Sequence, residues 1–196
     1  MTSKFANKNR AGFSLMELAI VMAIIGVVLA SLWGVVSVVR ENVKREETLE
    51  QMTVVVSKIR DHFLGRACPS TTFACNLNQN LTNDLIEKGV LLPEQYRKTS
   101  ALPNAVADHP WGGTAAGGTL IVRGVGRDQF SIELNSLSSG ACVALAPKLS
   151  GVGAPSGLDA MTINAGGVAL PVSPETAGIE CDAASNTILS TYGLRN

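Results

Sequence analysis

Charge is scarce in this sequence. Asp, Glu, Lys and Arg make up 16 % of its 196 residues and the two signs cancel, where a quarter is usual. A nucleic-acid surface needs a clustered basic excess, so none is expected. Histidine occurs only at His62 and His109, and the four cysteines, Cys68, Cys75, Cys142 and Cys181, form no CxxC pair. Zinc sites want close Cys/His pairs, so zinc is not expected. Calcium loops need clustered oxygen ligands, whereas Asp108, Asp128, Asp159 and Asp182 stand apart. Gly117-Gly118 and Gly124-Val125-Gly126 form neither GxGxxG nor a P-loop, because no Lys-Ser/Thr follows; they read as turns. Neither histidine has an evident catalytic partner. No catalytic residue, cofactor or metal is expected. Asn80-Leu81-Thr82 fits a glycosylation sequon, a pattern common by chance.

What is present is concentrated early. Residues 1–12 are polar and basic, with Lys4, Lys8 and Arg10 and no acid. Gly12 follows, then Phe13-Ser14-Leu15-Met16-Glu17. From Leu18 to Val39 the chain is almost wholly apolar over about 22 residues, enough to cross a hydrocarbon core of about 30 Å. The basic leader belongs on the cytoplasmic side by the positive-inside rule, which leaves the remainder in the periplasm. A secretory signal has a shorter apolar region and a small-residue cut after it. Here the small residue, Gly12, comes before it. A plain signal anchor leaves Glu17 unexplained, since a carboxylate at the margin of a membrane helix costs several kcal/mol unless paired.

No proline occurs between Phe13 and Cys68. Apolar residues continue at Val43, Leu49, Met52, Val55, Val56, Ile59 and Phe63, close to the helical period. One helix from about Phe13 to about Leu64 is expected, stopped by Gly65 and Pro69. Its first half spans the membrane and its second half lays an apolar stripe on a globular head. Beyond Cys68, residues 81–92 predict a short helix with Thr82 as N-cap and Gly89 as its stop. TLIVRGV (119–125) and QFSIEL (129–134) predict a hairpin turning near Gly126-Arg127-Asp128. Further strands are expected at 142–146, 161–163, 168–170 and 187–193, with loops at 147–160 and 171–186. Trp111 reads as core. The fold class is α+β: a long N-terminal helix packed on a head with one antiparallel sheet.

Gly12-Phe13-Ser14-Leu15-Met16-Glu17-Leu18 resembles the class III signal of type IV prepilins: a basic leader, Gly before the cut, a hydrophobic first mature residue and Glu at the fifth. The resemblance covers about the first 55 residues. It implies cleavage between Gly12 and Phe13 and N-methylation of Phe13 by a prepilin peptidase. It implies that Glu17 makes an assembly salt bridge and that the chain is a structural subunit, not an enzyme. The implied partners are other copies of the pilin, the membrane before assembly, an inner-membrane platform and an assembly ATPase. The implied locations are the inner membrane with the head periplasmic, then an extracellular pilus serving adhesion, conjugation or motility. The expected parts are a leader at 1–12, a membrane and filament-core helix at 13–39, an amphipathic continuation at 40–65 and the head at 66–196.

Cysteines beyond a membrane segment favour disulfides. Four allow three connectivities; 68–75 with 142–181 is preferred, the last pair resembling the one that brackets the C-terminal region of pilins. The segment between Cys142 and Cys181 is expected to have little apolar content of its own. His109-Pro110-Trp111-Gly112-Gly113 resembles a stretch of type IVb pilins, whereas the short leader and Phe13 resemble type IVa; the reading leans to type IVb. The rival readings are a type II secretion pseudopilin or minor pilin, and a signal-anchored periplasmic protein that never polymerises.

Overall fold

The computed structural model describes residues 15–63, 81–91, 107–112, 118–125 and 128–194. The chain divides into two compact units, Met1–Asn42 and Val43–Asn196. Helix α1 runs from Leu15 to Phe63. It starts and ends within two residues of the expected bounds because nothing along it breaks the backbone. In the first unit every described residue is exposed.

The second unit is the head. Its elements are the last turns of α1, then α2 (Thr82–Glu87), β1 (Ala107–Asp108), β2 (Thr119–Val125), β3 (Gln129–Leu137), α3 (Ser139–Ser150), β4 (Leu158–Ile163), β5 (Gly166–Val168), α4 (Pro174–Glu180) and β6 (Asn186–Gly193). The strands form one antiparallel sheet in the order β1-β2-β3-β6-β4-β5. β6 therefore lies between β3 and β4, so the last strand closes the middle of the sheet. Everything between β3 and β6 is an excursion that begins and ends at the same place.

One face of the sheet carries the core. Residues alternate buried and half-buried along β2 and β6, the pattern of a sheet covered on one side. Met52, Val55, Val56 and Ile59 of α1 join Leu120, Val122, Phe130, Ile132, Leu134, Ile188 and Tyr192 in a single buried cluster. Polar side chains fix α1 at two levels. Gln51 Nε2 donates to the Asp108 carbonyl at 2.7 Å. Arg60 donates to the Gly193 carbonyl at 3.0 Å and to the Ser156 carbonyl at 2.8 Å. On the other face Arg123 pairs with Glu133 at 2.9 Å.

The structure corrects five local expectations. Residues 142–146 lie inside helix α3, not a strand. Ser138 caps the helix by accepting from the Ala141 amide, and Cys142, Leu145, Ala146 and Leu149 are buried at helical spacing. The stretch 147–160 holds the end of α3 and the start of β4, and 171–186 holds α4, capped by Ser173 with Pro174 in its first turn. The strand expected at 168–170 instead ends at Val168. It joins β4 through Asn164 and Ala165, both at positive φ, the conformation of a tight hairpin turn. Thr82 is the first residue of α2 rather than its cap. Its Oγ1 accepts from the Val122 amide at 2.8 Å while the Leu81 amide donates to the Val122 carbonyl at 2.8 Å, so this segment satisfies the edge of β2 beyond the two-residue β1. Gly89 does stop the short helix, at φ 66°. The turn glycine Gly126 lies outside the described residues.

Candidate functional site

The exposed apolar helix of the first unit is the feature that asks for a partner. Leu18, Ile20, Val21, Met22, Ile24, Ile25, and on to Val39, are each about half exposed or more. Leaving so many large apolar side chains in water forgoes roughly 1.5–3 kcal/mol for each one that could be buried. The helix is long and apolar enough to cross a membrane. Ser31 and Ser37 return their hydroxyls to the Val28 and Gly34 carbonyls at 2.8 Å, so neither leaves a donor unpaired in hydrocarbon. A Cβ at Gly26 or Gly34 would meet nothing within 4 Å. These glycines pack against nothing among the described residues and leave room for another helix to approach.

Glu17 lies in the first turn of α1 and is exposed. A carboxylate there faces the positive end of the helix dipole. Gly12, Phe13, Cys68 and Cys75 lie outside the described residues. Cys142 and Cys181 are both fully buried and bonded, with Cα atoms 5.7 Å apart. The bond joins α3 to the end of α4. Between them Leu145, Leu149, Met161, Ile163, Val172 and Ala177 are buried in the single core cluster of the head, so the bracketed region is held by apolar packing as well as by the bond, contrary to the expectation.

His109 is buried and its Nε2–H donates to the Asn135 carbonyl at 2.7 Å. His62 meets Phe63 edge-on at 5.0 Å. Trp111 is half-buried with Lys44 Nζ 5.7 Å from its ring centre, a cation–π contact. The Tyr192 phenol, stacked on Phe130, is pushed up to about 12 by burial. Among the described residues no three His, Cys, Asp or Glu converge as metal ligands. A groove of about 420 Å³ runs beside α1, lined by Glu46, Leu49, Glu50, Thr53, Lys148, Val152 and Gly153. Helical periodicity shows which residues of α1 face inward but not what Gln51, Arg60 or Lys44 reach across more than fifty residues of chain, so those contacts leave no trace in the sequence.

Residues 7–33 match the prokaryotic N-terminal methylation motif. Among solved structures, the crystal structure of a type IVb pilin from Salmonella typhi is similar at 22 % identity, covering 74 % of this chain and 97 % of that one, with a TM-score of 0.54. This is a type IV pilin fold. An NMR structure of a type IVb pilin from the same organism is 21 % identical, covers 71 % of this chain and 92 % of that one, and has a TM-score of 0.41. No curated protein matches the chain by sequence. The pilin fold explains the division of labour within the molecule. The head has its own core, and among the described residues the exposed large apolar side chains lie on the long helix apart from Val152, Leu170 and Ile179 in the head.

Proposed function

We propose that the chain is the structural subunit of a type IV pilus, with type IVb the favoured subclass. A prepilin peptidase cuts between Gly12 and Phe13 and methylates the new amine of Phe13. The mature chain waits in the inner membrane, residues 13–39 in lipid, the amphipathic 40–65 beyond it and the head in the periplasm. An inner-membrane platform and a cytoplasmic ATPase then draw it into a homopolymer for adhesion, conjugation or motility. It catalyses nothing and binds no nucleic acid directly.

One observation carries this reading: a methylation motif at residues 7–33 runs into an apolar helix exposed throughout residues 15–42, in a chain whose head has the pilin fold. The physical argument runs through Glu17. Cleavage creates a positive amine at Phe13, and methylation keeps its charge. In lipid both that amine and the Glu17 carboxylate are costly alone. In a filament the amine of an incoming subunit meets Glu17 of its neighbour, and an unpaired charge in that core costs several kcal/mol. The pair therefore selects axial register as well as attracting. The test is a shearing assay with a blot for precursor and mature bands. Glu17→Ala should yield cleaved protein in the membrane and few or no filaments. Abundant filaments from this variant would remove the register role of the carboxylate.

A further inference from the structure

Helix α1 carries two like-charge pairs just beyond its apolar stretch. Arg40 and Lys44 are four residues apart, and so are Glu46 and Glu50. All four side chains are exposed. Among the described residues neither glutamate has an ion-pair partner. Like charges at this spacing destabilise a helix. The glutamates line the groove beside Leu49, Thr53, Lys148 and Val152; Lys148 shares the groove but forms no ion pair with either of them among the described residues.

The two pairs have the same internal spacing and lie six residues apart. Sliding one parallel copy of the helix along another by six residues, about 9 Å at 1.5 Å per residue, brings Arg40 opposite Glu46 and Lys44 opposite Glu50 together. Six residues turn a helix by about one and two-thirds revolutions, so the two pairs present different sides. A head-to-tail contact requires two such distinct patches, and repeating it gives an open helical polymer rather than a closed dimer.

We propose that the groove edge formed by Glu46 and Glu50 receives Arg40 and Lys44 of a second copy of this chain, setting an axial step of about 9 Å. This rests on the pilus-subunit reading and deepens it. The contact selects register at the level of the head, separately from any pairing at Glu17. Lys44 leaves or keeps its seat over Trp111 without losing its charge, so the contact asks for no refolding of the head.

Charge reversal tests it. Glu46→Lys with Glu50→Lys places like charges together, which costs several kcal/mol at a docked interface; sheared fibre should fall by about a hundredfold or more, with the mature band intact. Arg40→Glu with Lys44→Glu should do the same. All four changes in one chain restore opposite signs and should recover most of the fibre. Normal fibre from either double variant, or no recovery in the fourfold variant, overturns the proposal. In fibres of Lys44→Cys, Glu50→Cys, oxidation should give a ladder of multimers that neither single variant gives; fibres without a ladder overturn the proposal while leaving the pilus reading intact. A wild-type chain that never forms fibres ends both.

Discussion

A Cβ placed on Gly118 would lie 2.2 Å from the Cα of Gly112. The reverse placement, a Cβ on Gly112, would lie 2.8 Å from the Gly118 carbonyl oxygen. The two backbones pass each other with room for hydrogen alone, and the Gly112 amide closes a turn on the His109 carbonyl at 2.8 Å. Backbone cannot step aside as a flexible side chain can. Gly118→Ala should therefore destabilise the head by about 1–3 kcal/mol, the range for forced overpacking. Urea unfolding of the detergent-solubilised protein, followed by tryptophan fluorescence, measures it. An unchanged midpoint would show that the segment relaxes freely.

The Cys142–Cys181 bond closes the excursion between β3 and β6, 39 residues apart in sequence. In the chain-entropy model a loop of this size contributes about 3–4 kcal/mol. The region it brackets is also packed into the core of the head, by Leu145, Leu149, Met161 and Ile163. The double Ser variant should thus fold, but with a midpoint lowered by that amount and with faster proteolysis between α3 and α4. Trypsin mapping under non-reducing conditions supplies the direct check. Free thiols at both positions in the native protein would contradict the bond.

Tyr192 gives the head a specific sensitivity to alkali. Burial raises its phenol to about 12 in the folded state, against 10.0 unperturbed. Below pH 10 the phenol is protonated in both states and its contribution is fully present. Between about pH 10 and about 12 the unfolded chain releases this proton and the folded chain does not, so stability falls by about 1.4 kcal/mol per pH unit. Tyr192→Phe should remove that component of the slope. An identical alkaline slope in the variant would show that the phenol ionises as easily folded as unfolded.

How far the sequence carries can be read at particular residues. The long helix is legible because apolar periodicity runs unbroken from Leu18 past Ile59, and the β2–β3 hairpin because both runs alternate. Helix α3 is not, because Cys142-Val143-Ala144-Leu145-Ala146 is too short to separate a helical from a strand period; the informative residue is the capping Ser138. Helix α4 does leave a signature, the cap-and-proline pair Ser173-Pro174, but a Gly/Pro/Ser-rich stretch surrounds it and reads as loop. β1 is two residues and exists only because β2 offers an edge, a tertiary fact. For the candidate site, Glu17 and the apolar stretch are visible in the sequence as chemistry out of place. The charge pairs beyond Val39 become meaningful only once the structure places Glu46 and Glu50 on a groove with no ion pair among the described residues.

The central claim is that this chain is cut and methylated before it polymerises, because the amine created at Phe13 is what Glu17 of a neighbour pairs with. Mass spectrometry of the N-terminus of protein recovered from sheared surface fibres tests it most directly. The account predicts a mature chain beginning at N-methylated Phe13, and precursor confined to the inner membrane when Gly12→Val blocks the cut. A chain in the membrane that keeps Met1 in the wild type, with none in the sheared fraction, would contradict it.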